Sequence, residues 1–241
     1  GLHHEGDFGV ALEPVHDLDG DGLRELAIGC PSTVVGSAGG STAPETCSVH
    51  IFSIAGPPAR RLRELHGDET GADGFGASLA FGGDFDGDGV WDGVVGATVV
   101  GTGYVYVVWV GGRGEMRSFV QVGGLNASVA PASGDWFGTG VWVGGRGMGT
   151  SWEVVVGGYG HDFGAVASAG GVWVMSVDGV SGGVVGSGGV QVWELGRGAF
   201  ASFTAKAYDD FGQAVGGVGD IDCDGGDDVV VGTLVITSRE C

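Results

Sequence analysis

The stretch Asp84-Phe85-Asp86-Gly87-Asp88-Gly89-Val90-Trp91-Asp92 constrains this chain more than any other. It sets carboxylates at Asp84, Asp86, Asp88 and Asp92, with Gly87 and Gly89 between them. Alternating carboxylates converge on one point only where the backbone curls tightly, and glycine permits that curl. Four anionic groups brought so close repel one another unless a cation sits among them. An oxygen-only ligand set on a flexible loop suits Ca²⁺ better than zinc or copper. The same spacing recurs at Asp17-Leu18-Asp19-Gly20-Asp21-Gly22-Leu23-Arg24-Glu25 and at Asp220-Ile221-Asp222-Cys223-Asp224-Gly225-Gly226-Asp227-Asp228. Repetition in register points to about three calcium sites rather than to acidic turns.

An EF-hand loop also opens Asp-x-Asp-x-Asp-Gly, but it needs a bidentate Glu at its twelfth position and a helix on each side. The twelfth residues here are Ile28, Val95 and Val231, all apolar. Each loop runs directly into a β-like segment: Leu26–Gly29, Val94–Ala97 and Val229–Gly232. The last side-chain ligand is therefore the ninth residue, Glu25, Asp92 or Asp228, and the seventh, Leu23, Val90 or Gly226, offers its carbonyl. The reading is of a calcium loop that bridges two strands.

A second signal repeats along the chain, Phe-Gly, at Phe8-Gly9, Phe75-Gly76, Phe137-Gly138, Phe163-Gly164 and Phe211-Gly212. A short apolar stretch, an acidic loop or its relic, and a valine-rich segment ending in glycine follow each one. Sought first, such periodicity implies a repeat architecture. The expected repeats span about 8–66, 75–122, 137–158, 163–207 and 211–241, within one domain covering 1–241. The first two each yield four strands. In the third, Arg146 stands where Asp84 stands in the second, so a fixed cation takes the metal's place, and no room is left for two outer strands. In the fourth, Val172–Gly183 reads as a loop holding only Asp178, with strands expected at Gly189–Leu195 and Ala199–Ala207. The fifth stops after Leu234–Thr237, and residues before Phe8 are expected to supply its missing outer strand.

With 55 glycines but 43% hydrophobic residues, the composition favours many short strands and tight turns; only Ala59–Leu65 hints at a helical period. The net charge of −20 leaves no basic stripe for nucleic acid, and thirteen of the 30 acidic residues fall in the three loops. The longest apolar run, Tyr104–Val110, is far short of a membrane span. No initiator Met or signal peptide is visible, so Gly1 reads as a mature N-terminus or the start of a fragment. Cys30 and Cys47 bracket a Ser/Gly/Pro-rich loop between two expected strands and suit a disulfide; Cys223 and Cys241 form the second pair by elimination, the alternative being four reduced thiols. The sequon Asn126-Ala127-Ser128 is a glycosylation candidate. Calcium loops, paired cysteines and a sequon together favour an extracellular setting.

Phe-Gly, Asp-x-Asp-Gly-Asp-Gly-x-x-Asp/Glu, Val-Val-Gly-Ala and Gly-Tyr-Val-Tyr-Val resemble FG-GAP repeats, those of the integrin α-subunit β-propeller and its bacterial and algal relatives. The resemblance implies an all-β β-propeller of four-stranded antiparallel blades, with calcium between the first two strands of a blade. Integrin-type propellers have seven blades and five repeats are visible here, so a count between five and seven stays open.

Sharper chemistry finds little support. Gly179-Val180-Ser181-Gly182-Gly183 fits a nucleophile elbow, yet the last histidine, His161, lies upstream of it, and the elbow needs a later acid and His. His161-Asp162 reads as a turn cap before a Phe-Gly, and His3-His4 as a solvated terminus. Arg113, Arg146 and Arg197, each between glycines, read as hairpin turns. Trp109, Trp142, Trp173 and Trp193, at β spacing, read as core between blades rather than sugar platforms. The expected function is non-catalytic: recognition or adhesion toward an extracellular protein or glycan. The alternatives are a subunit of an extracellular filament or surface layer, and a propeller lectin.

Overall fold

The computed structural model describes residues 8–31, 48–67, 74–98, 102–122, 130–146, 151–185, 190–195, 197 and 200–233. Among them are fourteen strands and no α-helix. β1 (Leu12–Val15), β2 (Glu25–Cys30), β3 (Ser48–Ser53) and β4 (Arg60–His66) form the first antiparallel sheet, in chain order. β5 (Phe75–Gly83), β6 (Asp92–Ala97), β7 (Tyr104–Val110) and β8 (Met116–Gln121) form the second in the same order. β9 (Gly140–Arg146), β10 (Ser151–Gly158), β11 (Gly171–Asp178) and β12 (Val190–Trp193) form the third. β13 (Val215–Gly219) and β14 (Asp228–Val231) pair alone.

Successive side chains of a strand point to opposite faces, and here both faces of the middle sheets are covered. Val95, Tyr106, Val108 and Val110 pack with Val15, Val49, Ile51 and Leu65 of the first sheet. Their sequence neighbours Val94, Val105, Val107 and Trp109 turn the other way, onto Val141, Val154, Trp173 and Met175 of the third. Val155, Val172 and Val174 then meet Val215, Val229 and Val231 of the fourth. This two-sided burial explains the unbroken apolar run Tyr104–Val110. The outermost strands β4 and β8 are exposed or half-buried apart from Leu65, as Arg60–His66 and Met116–Gln121 suggest. Trp109 and Trp173 are buried and Trp142 and Trp193 partly so, all four in the inter-sheet core.

The Phe-Gly pairs mark where one sheet rests on the next. A Cβ placed on Gly29 of β2 would lie 2.0 Å from the Gly76 carbonyl oxygen, on Gly96 of β6 2.1 Å from that of Gly138, and on Gly157 of β10 1.8 Å from that of Gly212. Only bare backbone fits at these crossings. Gly76, Gly138 and Gly212 have φ between 91° and 95° and the preceding Phe75, Phe137 and Phe211 are buried.

The fourth Phe-Gly is different. Nothing lies near the Cβ position of Gly164, and Phe163 sits in the β10–β11 connection, bridged to Val166, with Arg197 over its ring. The third and fourth expected repeats thus share one sheet, which removes the puzzle of the missing outer strands: β11 and β12 are those strands. Val172–Asp178, expected as a loop, is a buried strand because its Val-Trp-Val-Met run has partners on both sides. Residues 200–207, within the strand expected at Ala199–Ala207, form turns, and Ala59–Leu65 is not helical but lies mostly in β4, paired along β3. Leu234–Thr237 and the residues before Phe8 lie outside the described residues. β5 packs on β1, β2 and β3, β9 on β5 and β6, and β13 on β9 and β10. Among the described residues no closure of the fourth sheet onto the first is found.

Candidate cation-binding loops

In the first, second and fourth sheets the same nine-residue acidic loop joins the first strand to the second. Its opening aspartate curls it. Asp17 Oδ1 accepts the Gly20 N–H at 2.6 Å and Oδ2 that of Gly22 at 2.8 Å. Asp84 does the same with Gly87 (2.7 Å) and Gly89 (2.9 Å). Asp220 Oδ2 holds Gly225 at 3.0 Å, and its Oδ1 holds Asp224 at 3.0 Å. The third residue accepts from the fifth: Asp19 from Asp21, Asp86 from Asp88, Asp222 from Asp224, at 3.1–3.3 Å. The fifth accepts from the seventh, where Leu23, Val90 and Gly226 donate at 2.8–2.9 Å. The ninth reaches back to the second: Glu25 Oε2 to the Leu18 N–H, Asp92 Oδ2 to that of Phe85 at 2.8 Å, and Asp228 Oδ2 to that of Ile221 at 2.7 Å. Spacing in the sequence has become nearly the same hydrogen bonding three times over, the last loop differing in that Asp220 Oδ1 takes the fifth residue instead of the fourth.

The carboxylates converge without cancelling one another's charge. Asp17, Asp19, Asp21 and Glu25 bring one oxygen each within 4.8 Å of one another, as do Asp84, Asp86 and Asp92, and Asp220, Asp222 and Asp228. Asp88 and Asp224 stand outside these groups. Glu25 is 1% exposed, and its Oε1 has no hydrogen-bond partner. Burial pushes its carboxyl above the ordinary range, and Asp19, Asp17 and Asp21 add to the rise. Burial likewise lifts Asp92 to about 6, against the N–H groups of Val110 and Phe85 that favour its anion. A buried, unpartnered anionic oxygen among three other carboxylates is the arrangement a hard divalent ion would satisfy. The donor set therefore fits a metal ion at the first loop, and the other two bring three of the four corresponding carboxylates together.

Two of these loops lead into β2 and β6 at the ends away from Gly29 and Gly96, the glycines of the first two crossings. Trp91 of the second loop has the Arg24 guanidinium of the first over its ring at 4.8 Å, with His16 at 5.9 Å. Asp227 of the last loop accepts the Gly145 N–H of β9 at 2.8 Å. In the third sheet only residues 147–150 separate β9 from β10, too few for such a loop; Arg146, paired with Trp152, ends β9 instead. A cleft of about 410 Å³ opens beside the first loop, lined by Asp19, Asp21, Ser53, Pro58 and Arg60 among others.

Two features were not read from the sequence. Arg60 of β4 and Arg117 of β8 each reach the loop of their own sheet, Arg60 to Asp19 and Arg117 to Asp86 and Asp88. His161, read as a turn cap, is held between two carboxylates, Nδ1 to Asp135 and Nε2 to Glu194, both at 3.1 Å, edge-on to Trp173. Only their basic and acidic character was visible beforehand, since these partners meet through strand pairing. Ser181 of the Gly179–Gly183 segment bonds Asp178 within a turn and sits on no strand-to-helix elbow. Cys30 ends β2 and Cys223 is exposed; Cys47, Cys241, Asn126, His3 and His4 lie outside the described residues. No helix among the described residues is long and apolar enough to cross a membrane. No known protein family has a model that matches this chain, and no curated protein matches it.

Proposed function

We propose that the chain is a calcium-stabilised β-propeller of the FG-GAP type that serves as a non-catalytic, extracellular recognition or adhesion module for a protein or glycan. One observation carries the cation part of this reading. The same loop sits between first and second strands in three of four successive sheets, and at Glu25 a buried carboxylate oxygen is left unmatched. Calcium has a structural task in this view. It neutralises the convergent carboxylates so that each loop keeps its two strands in register. Recognition belongs to the surface formed by these loops and the cleft beside the first, where exposed Asp19, Asp21 and Arg60 meet a partner.

The test has two stages. Thermal melts in calcium, in chelator and in zinc should show stabilisation by calcium alone. Binding to immobilised glycans and extracellular proteins should then appear in calcium and disappear in chelator. Blank surfaces in both conditions overturn the recognition role. An assembly subunit is the second reading, favoured by exposed apolar side chains at both ends of the series. Phe8, Val10 and Leu12 lie at one end, Val218, Ile221 and Val230 at the other. Light scattering without added ligand separates it from the first, because only a self-assembling chain would grow in mass.

A further inference from the structure

The two arginines that reach the loops occupy equivalent places, near the start of the outermost strand of their sheets. Arg60 Nη2 donates to Asp19 Oδ2 at 2.9 Å; Arg117 Nη1 donates to Asp86 Oδ2 at 3.3 Å and to Asp88 Oδ2 at 2.5 Å. The chain carries only 10 basic side chains against 30 acidic ones, so two of them on the third position of two loops is an uncommon use of scarce charge. A guanidinium there could orient a ligand for the ion or compete with the ion for it, and its direct bonds to ligand oxygens favour competition. Asp21, which no arginine touches among the ion pairs, stands within its convergent group, whereas Asp88 at the same position stands outside its own. Their other oxygens do not differ, since Asp21 takes the Leu23 N–H and Asp88 that of Val90. In the last loop, which among the described residues has no outer strand and no arginine against it, Asp224 also stands outside. The fifth carboxylate thus stands apart with or without an arginine; what Arg117 adds is a claim on Asp86 and Asp88, two of the oxygens an ion would need.

We propose that Arg117 is an intramolecular rival of the divalent ion at the second loop, and Arg60 a weaker one at the first. Each is a counter-charge that keeps the ion-free loop folded and lowers its affinity for the ion. This rests on the cation reading above. Charge-assisted bonds from a guanidinium are among the stronger surface contacts. For the full ligand set to close on an ion, Asp88 must leave Arg117. Removing the guanidinium also removes repulsion between its charge and the incoming ion.

The experiment is a calorimetric titration of the full chain with CaCl₂, paired with thermal melts in calcium and in chelator, for wild type, Arg117→Gln and Arg113→Gln. Arg113 lies in the β7–β8 turn and its loss changes net charge equally without touching the loop. Arg117→Gln should bind calcium at one site roughly tenfold more tightly. It should melt lower than wild type in chelator, so that its gap between calcium and chelator widens. Arg113→Gln should match wild type in both. Unchanged or weaker binding by Arg117→Gln overturns the rival role while leaving the loops as cation sites. A wild type that takes up no calcium removes the cation reading itself, and the inference with it.

Discussion

At their fourth position the first two acidic loops carry Gly20 and Gly87, with φ of 80° and 84°; the third puts Cys223 there, at φ 61°. A side chain in this left-handed region is held against a preference of about 1 kcal/mol or more. Replacing Cys223 by Gly should therefore stabilise the last loop by roughly 0.5 kcal/mol after the added freedom of the unfolded chain is counted, visible as a small rise in melting temperature. The opposite change is severe at a crossing. Gly96→Ala puts a methyl 2.1 Å from the Gly138 carbonyl oxygen and 2.2 Å from Ser78 Oγ. Backbone cannot rotate away, so we expect a loss of about 3 kcal/mol in denaturant unfolding. The carboxylates of the loops were legible because each acts within nine residues of its partners, where spacing alone dictates the curl. Arg60 meets Asp19 across 41 positions and Arg117 meets Asp86 across 31, and only the register of outer strands brings them there.

At the level of elements, the sheets of the first two repeats were legible and the third was not. Phe163-Gly164 looks like its fellows in sequence but crosses no neighbouring glycine, and counting it as a sheet start displaced β11 into a loop. The run Gly171–Asp178 had the β-branched and aromatic residues of a strand all along. What fastens this sheet's connections is His161, which ties the segment before β9 (Asp135) to the segment after β12 (Glu194). Carboxylates on both nitrogens favour the protonated ring. The bond to Asp135 raises its pKa most, burial opposes, and Glu194 adds to the rise. A folded pKa above the unfolded value means that the stabilisation is complete below about 6.5. It is then lost as pH rises through the higher folded value. His161→Gln should cost about 2 kcal/mol at pH 6. The difference between variant and wild type should shrink steadily toward pH 9 in urea unfolding. A gap constant across that range would show that the clamp is not ionic.

For the whole molecule, thirteen of the 30 acidic residues gathered in three loops should make stability depend on dissolved cations. At ten times the dissociation constant each occupied site adds roughly 1.4 kcal/mol, so three sites add about 4 kcal/mol. Chelation should then lower the melting temperature by several degrees or more, and zinc should fail to restore it; a melt indifferent to chelator would refute the cation sites. High monovalent salt should narrow the effect by screening the exposed carboxylates of the chelated form. The glycine crossings bear on how such a chain can change over time. Because main chain meets main chain at all three of these crossings, no side chain sets how closely one sheet approaches the next there. A segment carrying the same two glycines can be spliced between existing ones without resizing the valines on either side. Copying an entire unit, rather than adjusting side chains one by one, is the step this construction most readily accepts.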